Sequence, residues 1–243
     1  MQGNRPIVCS VAGFDPCAGA GVLADIKTFE QLAVQGMAVI SGYTVQTEEK
    51  CHAVDWRLPE QVIHEVQTLQ KRYQLSVVKI GIVPNASFLR ALVQEIRQTQ
   101  ADTLIVWDPV LASSSGLAFF DKQTLPELTP VLEAIDLITP NYHEYQQLKP
   151  YLLKKQVVLV KGGHHPSLKG IDVLQCGQEQ LLLKPSSMEP IFEKHGSGCV
   201  LSSAISSYLA HGETMSKACK KAKLYIERYL KSSSTLLGQH HHG

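Results

Sequence analysis

No stretch of this 243-residue chain approaches the roughly 20 consecutive apolar residues that a membrane-spanning helix needs. The start, "MQGNRPIVCSVAG", lacks the basic and apolar segments of a secretory leader. These absences read as a cytoplasmic protein. A dominant charge is missing too: 23 Lys and Arg against 22 Asp and Glu leave a formal charge of +1. With no basic or acidic run, neither nucleic acid nor an anionic membrane is indicated as a partner. A small molecule is the expected ligand. The six cysteines (Cys9, Cys17, Cys51, Cys176, Cys199, Cys219) form no C-x-x-C pair and show no zinc-like spacing with histidine. They read as reduced thiols. The phosphate loop G-x-x-x-x-G-K-[ST] does not occur. The closing "GQHHHG" is neither a usual purification tag nor a rigid ligand set, and reads as a solvated, frayed end.

Apolar, β-branched runs recur: "PIVCSVA" (6–12), "MAVISGYTV" (37–45), "LSVVKI" (75–80), "TLIVWD" (103–108), "DLIT" (136–139) and "QVVLVK" (156–161). Helix-period segments such as "AGVLADIKTFEQLA" and "PEQVIHEVQTLQKRY" lie between most of them. Strand alternating with helix predicts a single α/β domain over 1–243, with a mostly parallel central sheet flanked by helices. "DVLQC" and "QLLLKP" around "GQE" predict a hairpin, hence a mixed sheet near one edge. Two helices over 199–210 and 213–231, with Gly212 as a stop, close the pattern.

The strands run into "GFD", "QTEE", "GIV", "PVLASSSG", "PNYHE" and "GGHH". Gly13, Gln46, Gly81, Asp108, Asn141 and Lys161 therefore fall at or just past strand carboxyl ends, the edge where open α/β sheets bind ligands. Each alone is ordinary turn chemistry. Their recurrence marks a site. "GAGVLA" (19–24) formally matches a G-x-G-x-x-A dinucleotide fingerprint, but six residues (13–18) separate it from the apolar run. No acidic residue ends the second strand, which closes in Val45-Gln46. A nicotinamide cofactor is not expected.

On the helix after these glycines, Val22, Ile26, Phe29 and Ala33 share one stripe, and Asp25 falls inside the apolar face at about 100° per residue. Two readings stay open for it: a carboxylate turned to a ligand, or an acid in early helical turns bound to a loop amide. A second cluster, Gly196-Ser197-Gly198-Cys199, directly precedes a helix. Free amides and the helix dipole there suit a phosphoryl group and are expected to lower the Cys199 pKa. Small residues Ser202, Ser203, Ser206 and Ala210 lie beneath. The alternative is a plain helix start with a structural cysteine.

Taken in order, "AGFDPCAGAGVLADIKTF", "YTVQ", "VKIG", "WDPVL", "ITPN..E", "VKGGH" and "HGSGC" resemble the hydroxymethylpyrimidine/phosphomethylpyrimidine kinases of thiamin biosynthesis, within the ribokinase-like superfamily. The resemblance runs over about residues 6 to 230. It implies a three-layer ribokinase-like fold and phosphorylation of 4-amino-5-hydroxymethyl-2-methylpyrimidine and its monophosphate. It places the pyrimidine near Gly13, Asp25 and Gln46, between apolar walls from Ile82 and Val110. ATP with Mg2+ would use Asn141 and Lys161 for the nucleotide and Asp108 and Glu144 for the metal. Cys199 would be the general base, with the amides of Gly196, Ser197, Gly198 and Cys199 on the transferring phosphoryl group. A homodimer is implied. Lys161 as an exposed strand end is the bland alternative. Departures from the family pattern are Ser114 for a common Lys, Ile82 for Met, Thr47 for Asn, and a shorter segment between Glu144 and Val157. Competing readings are a pyridoxal or pyridoxine kinase and a non-catalytic pyrimidine-binding protein.

Overall fold

The structure, a computed structural model, describes residues 5–164, 166–187 and 189–240. In chain order the elements are β1 (Ile7–Phe14), α1 (Gly21–Gln31), β2 (Gln35–Gln46), β3 (Cys51–Trp56), α2 (Pro59–Arg72), β4 (Val77–Ile80), α3 (Ala86–Thr99) and β5 (Leu104–Trp107). There follow α4 (Thr129–Leu132), β6 (Leu137–Ile138), α5 (Tyr142–Leu148), β7 (Val157–Val160), β8 (Asp172–Cys176), β9 (Glu179–Leu183), α6 (Ser197–Ala210) and α7 (Met215–Lys231). The strands form one sheet in the order β3-β2-β1-β4-β5-β6-β7-β8-β9. Every pairing from β2 through β7 is parallel. The expected hairpin of β8 and β9 closes one edge.

The other edge departs from the sequence reading. "CHAVDW" is β3, antiparallel to β2, so the sheet is mixed at both ends rather than one. Its apolar content is low because as an edge strand it is held by backbone pairing and by the turn in which Thr47 N donates to Lys50 O.

Strand alternation sorts the core into two faces. Cys9, Val11, Val78, Ile80, Ile105 and Trp107 face α2 and α3, which contribute Val62, Val66, Leu89 and Leu92. Val8, Val77, Val106, Leu137 and Leu159 face α1, α6 and α7. The result is the three-layer architecture implied by the resemblance. Helix α3 starts where the Asn85 side chain accepts from Phe88 N at 2.9 Å, an N-cap that satisfies an otherwise orphaned amide. Helix α6 is buried nearly all round, and its serines make that possible by bonding back along the helix or to carboxylates beneath it.

Trp107 is 1 % exposed at the centre of the sheet. Trp107→Ala is expected to cost about 3–5 kcal/mol in urea denaturation, whereas Leu58→Ala, at a side chain 61 % exposed, should stay within about 0.5 kcal/mol.

Candidate active site

Strand order reverses where β1 lies between β2 and β4, and at such a switch point the loops after neighbouring strands part to leave a crevice. A cavity of 830 Å³ occupies this edge, large enough for two small ligands side by side. From β1, β2, β4 and β5 it receives Gly13, Gln46, Ile82 and Val110; from β6 and β7, Asn141, Glu144 and Lys161. Asp108, Gly196, Ser197, Gly198 and Cys199 also line it. All but one of the residues singled out in the sequence converge here.

The exception is Asp25. It is fully buried and does not line the cavity. Lys79 Nζ meets its two carboxylate oxygens at 2.8 and 3.0 Å, Ser203 Oγ donates to Oδ1 at 2.6 Å, and Ser10 Oγ donates to Oδ2. Ser10 and Lys79 are register neighbours on β1 and β4, so both rise from one face of the sheet into the carboxylate that α1 brings down. Its place among apolar residues thus reflects an internal ion pair, not a substrate contact or a loop amide. Lys79 was legible as an anomaly: a lone cation inside a fully buried four-residue strand.

The glycines have a backbone role. Gly21 opens α1 at φ +59°, and a Cβ there would fall 2.1 Å from Gly13 O; Gly196 precedes α6 at φ +71°, where a Cβ would fall 2.0 Å from Gly19 O. Both need positive φ and the absence of a side chain. The two helix starts press together as a result. Gly198 approaches Lys161, whose Nζ would lie 3.0 Å from an added Cβ.

Lys161 is an ion-pair partner rather than a solvated strand end, with Nζ 2.6 Å from Asp108 Oδ1. Thr139 Oγ1 and Ser202 Oγ also donate to Asp108, at 3.3 and 3.1 Å. Burial alone would raise the Asp108 carboxyl, but the Lys161 and Lys79 ammonium groups outweigh it and hold it below the usual range. Glu144 differs. Its Oε2 accepts from Asn141 N at 2.7 Å while Asn141 Oδ1 accepts from Glu144 N, a capping box opening α5. Burial raises its pKa to about 7 against the pull of Lys161, with Asp108 adding to the rise.

The expected acidification of Cys199 is reversed. Burial pushes the thiol up to about 11; Lys79 and the Gly21 amide oppose the rise, and Asp108 and Asp25 add to it. Desolvation outweighs the helix-terminus field, and the two carboxylates beneath the same turn act in the same direction.

Two further features escaped the sequence reading. Asp15 accepts from the amides of Cys17, Gly19 and Ala20 at 3.0, 3.1 and 2.8 Å, and its Oδ2 lies 3.0 Å from His195 Nε2, 180 residues away in the chain. Burial works to raise its carboxyl, yet bonds from His195, Cys17 and the loop amides take it down to about 2. The closing segment, read as frayed, folds back up to His240. His195 N donates to Leu236 O, Lys194 Nζ donates to the carbonyls of Ser233 and Thr235, and Tyr225 Oη lies 2.7 Å from His240 Nδ1. Residues 241–243 lie outside the described residues.

Lys79→Met strands Asp25 in the interior and is expected to cost about 3–5 kcal/mol in chemical denaturation; combining it with Asp25→Leu should recover most of that loss. For Glu144 the folded pKa of about 7 exceeds the ordinary 4.5, so between these values the folded chain binds more protons than the unfolded one. Its stabilising contribution is complete below about pH 4.5 and lost by about pH 7, some 3 kcal/mol in all. Glu144→Gln should flatten the pH dependence of urea-derived stability in that window.

The sequence model of the phosphomethylpyrimidine kinase family matches residues 15–243. A hydroxymethylpyrimidine/phosphomethylpyrimidine kinase of Aquifex aeolicus is 34% identical over 248 residues, covering 95% of this chain and 96% of its own. The crystal structure of a phosphomethylpyrimidine kinase from Clostridium difficile is 26% identical at a TM-score of 0.75, covering 91% of this chain and 98% of the other. A pyridoxal kinase from Staphylococcus aureus in complex with ADP superposes at a TM-score of 0.83 over 99% of this chain and 94% of its own, at 22% identity. That last likeness is one of fold, which is ribokinase-like. With the ordered motifs gathered around one cavity and the relatives matching end to end, the chain belongs to the phosphomethylpyrimidine kinase family and is a kinase.

Proposed function

We propose that the chain transfers the γ-phosphoryl group of ATP to the hydroxymethyl oxygen of 4-amino-5-hydroxymethyl-2-methylpyrimidine, and then phosphorylates the resulting monophosphate to the diphosphate, in thiamin biosynthesis. The observation that carries this reading is the meeting, in one 830 Å³ cavity, of Cys199 at the start of α6 with Gln46 on one side and Lys161 on the other. Gln46 offers both a donor and an acceptor to an aminopyrimidine edge, and Gly13, Ile82 and Val110 supply a close backbone and apolar walls. Asp25 has no part in this contact. Ser114 lines the cavity without a charge, while Lys50 and Lys122 bring ammonium groups to it.

Asn141 and Lys161 would hold the nucleotide phosphates. Glu144 and Asp108 fit a hard divalent cation, since both present carboxylate oxygens and the raised Glu144 pKa marks a buried acid short of counter-charge. Mg2+ held there would supply charge neutralisation on the transferring phosphoryl oxygens. The amides of Gly196, Ser197, Gly198 and Cys199 face the same charge from the helix start.

Cys199 is assigned the proton of the attacking hydroxyl. With its pKa at about 11, the resting side chain is a thiol. Its two carboxylate neighbours oppose ionisation, and a cation held by Asp108 would offset part of that opposition. The monophosphate presents an oxygen already ionised near neutral pH and requires no such proton transfer. We also infer a single kinase domain over 1–243, supported by the one sheet to which all nine strands among the described residues belong, and a cytoplasmic location; no helix among the described residues is long and apolar enough to cross a membrane. A homodimer is supported by Tyr43 and Val45, both exposed on one face of β2.

The test is ADP release with Mg·ATP and hydroxymethylpyrimidine, its monophosphate or pyridoxal. Turnover of the first two is expected; turnover of pyridoxal alone would move the protein to vitamin B6 salvage, and silence on all three would leave a binding protein. Cys199→Ala should slow alcohol phosphorylation by about 10²–10⁴-fold and phosphorylation of the monophosphate by distinctly less. Equal losses would remove Cys199 as the base.

A further inference from the structure

One polar cluster borders the cavity without a role in the reaction described. Asp15 and Cys17 stand in the loop after β1 and His195 in the turn before α6, yet a carboxylate oxygen, the thiol sulfur and an imidazole nitrogen all lie within 4.8 Å of one another. Cys17 Sγ donates to Asp15 Oδ1 at 3.0 Å, and His195 Nε2 is 3.0 Å from Oδ2. Only a thiol proton and a ring proton separate the three heavy atoms. The frame around them is rigid: Asp15, 1 % exposed, is held by the Gly19 and Ala20 amides, and His195 is held by its backbone bond to Leu236 and by packing over Gly19, where a Cβ would lie 2.7 Å from the ring.

We propose that Asp15, Cys17 and His195 form a binding site for a divalent cation of the zinc class. Thiolate, imidazole and carboxylate together are the donor set of a borderline-soft ion, and three protein ligands leave a fourth position for water. A hard ion such as Mg2+ prefers oxygen ligands and is served by the carboxylates across the cavity. The exchange balances. Zn2+ displaces the Cys17 thiol proton to solvent, neutral His195 keeps its single ring proton by carrying it on Nδ1 so that Nε2 is free to ligate, and Asp15 contributes its existing negative charge. One proton leaves per ion, and the two positive charges meet two negative ligands in a neutral site. The Gly19 and Ala20 amides remain on the carboxylate as outer partners. Occupancy ties the loop after β1 to the turn that carries the phosphoryl-binding amides.

The full chain would be dialysed against Co2+ and Zn2+ without nucleotide. One ion per chain, a sulfur-to-cobalt charge-transfer band and release of one proton, read by calorimetry in two buffers, are expected. Cys17→Ser and Cys17→Ala should each abolish the band and weaken Zn2+ binding by more than about 100-fold, beyond the loss from removing an outer partner, with the circular dichroism unchanged. Cys199→Ala should keep both the band and the affinity. A band that survives in the Cys17 variants and disappears in Cys199→Ala would put the ion on the other thiol and overturn the proposal. So would binding without a thiolate band, which would assign it to ligands other than thiol, the Asp108 and Glu144 carboxylates or the terminal histidines.

Discussion

The Lys79–Asp25 ion pair, closed to solvent on both sides, is the constraint around which the site is arranged. Two charges taken out of water are tolerated only when their remaining valences are filled, and here Ser10 from β1 and Ser203 from α6 fill them. Four elements, β1, β4, α1 and α6, must therefore keep a fixed relation for the network to be satisfied. The starts of α1 and α6 are the walls of the cavity, so this interior requirement sets the geometry of the surface where chemistry takes place.

Helix α6 joins that structural pair to the functional one. Cys199, Ser202, Ser203 and Ser206 recur at helical spacing on one face, with Ser202 donating to Asp108 and its neighbour Ser203 to Asp25. One carboxylate is sealed by Lys79; the other, paired with Lys161 and equally closed to solvent, borders the cavity. Access to the cavity separates a framework charge from a working one. Burial is the main reason for the high thiol pKa, and the same arrangement adds to it, since Cys199 sits one turn above both carboxylates.

The glycines at 19, 21 and 196 belong to this logic as well. They allow the start of α6 to touch the segment leading into α1, and α1 to touch the end of β1, through backbone atoms. A side chain at Gly196 would push the start of α6 off the segment leading into α1, and one at Gly21 would push α1 off the end of β1; the carboxylate network beneath would have to follow.

Much of this was legible in the chain. Alternating apolar runs, the hairpin around "GQE" and the turn residues after each strand determined a parallel sheet with a binding edge, because strand and helix periodicities are local properties. The ordered glycine motifs and Cys199 determined the family for the same reason. Edge strand β3 was not legible, being stabilised by pairing rather than by its own apolar residues. Nor was the direction in which Asp25 points: helix phase places a carboxylate on the inner face, but whether it meets a ligand or a buried lysine depends on what a distant strand presents there. Asp15 and His195, 180 residues apart, and the closing segment packed on Tyr225 and Tyr229 are contacts of the same kind. Local sequence determined which elements form; the three-dimensional packing decided which charges are neutralised inside and which remain for the substrate, because only the assembled layers bring those partners within reach.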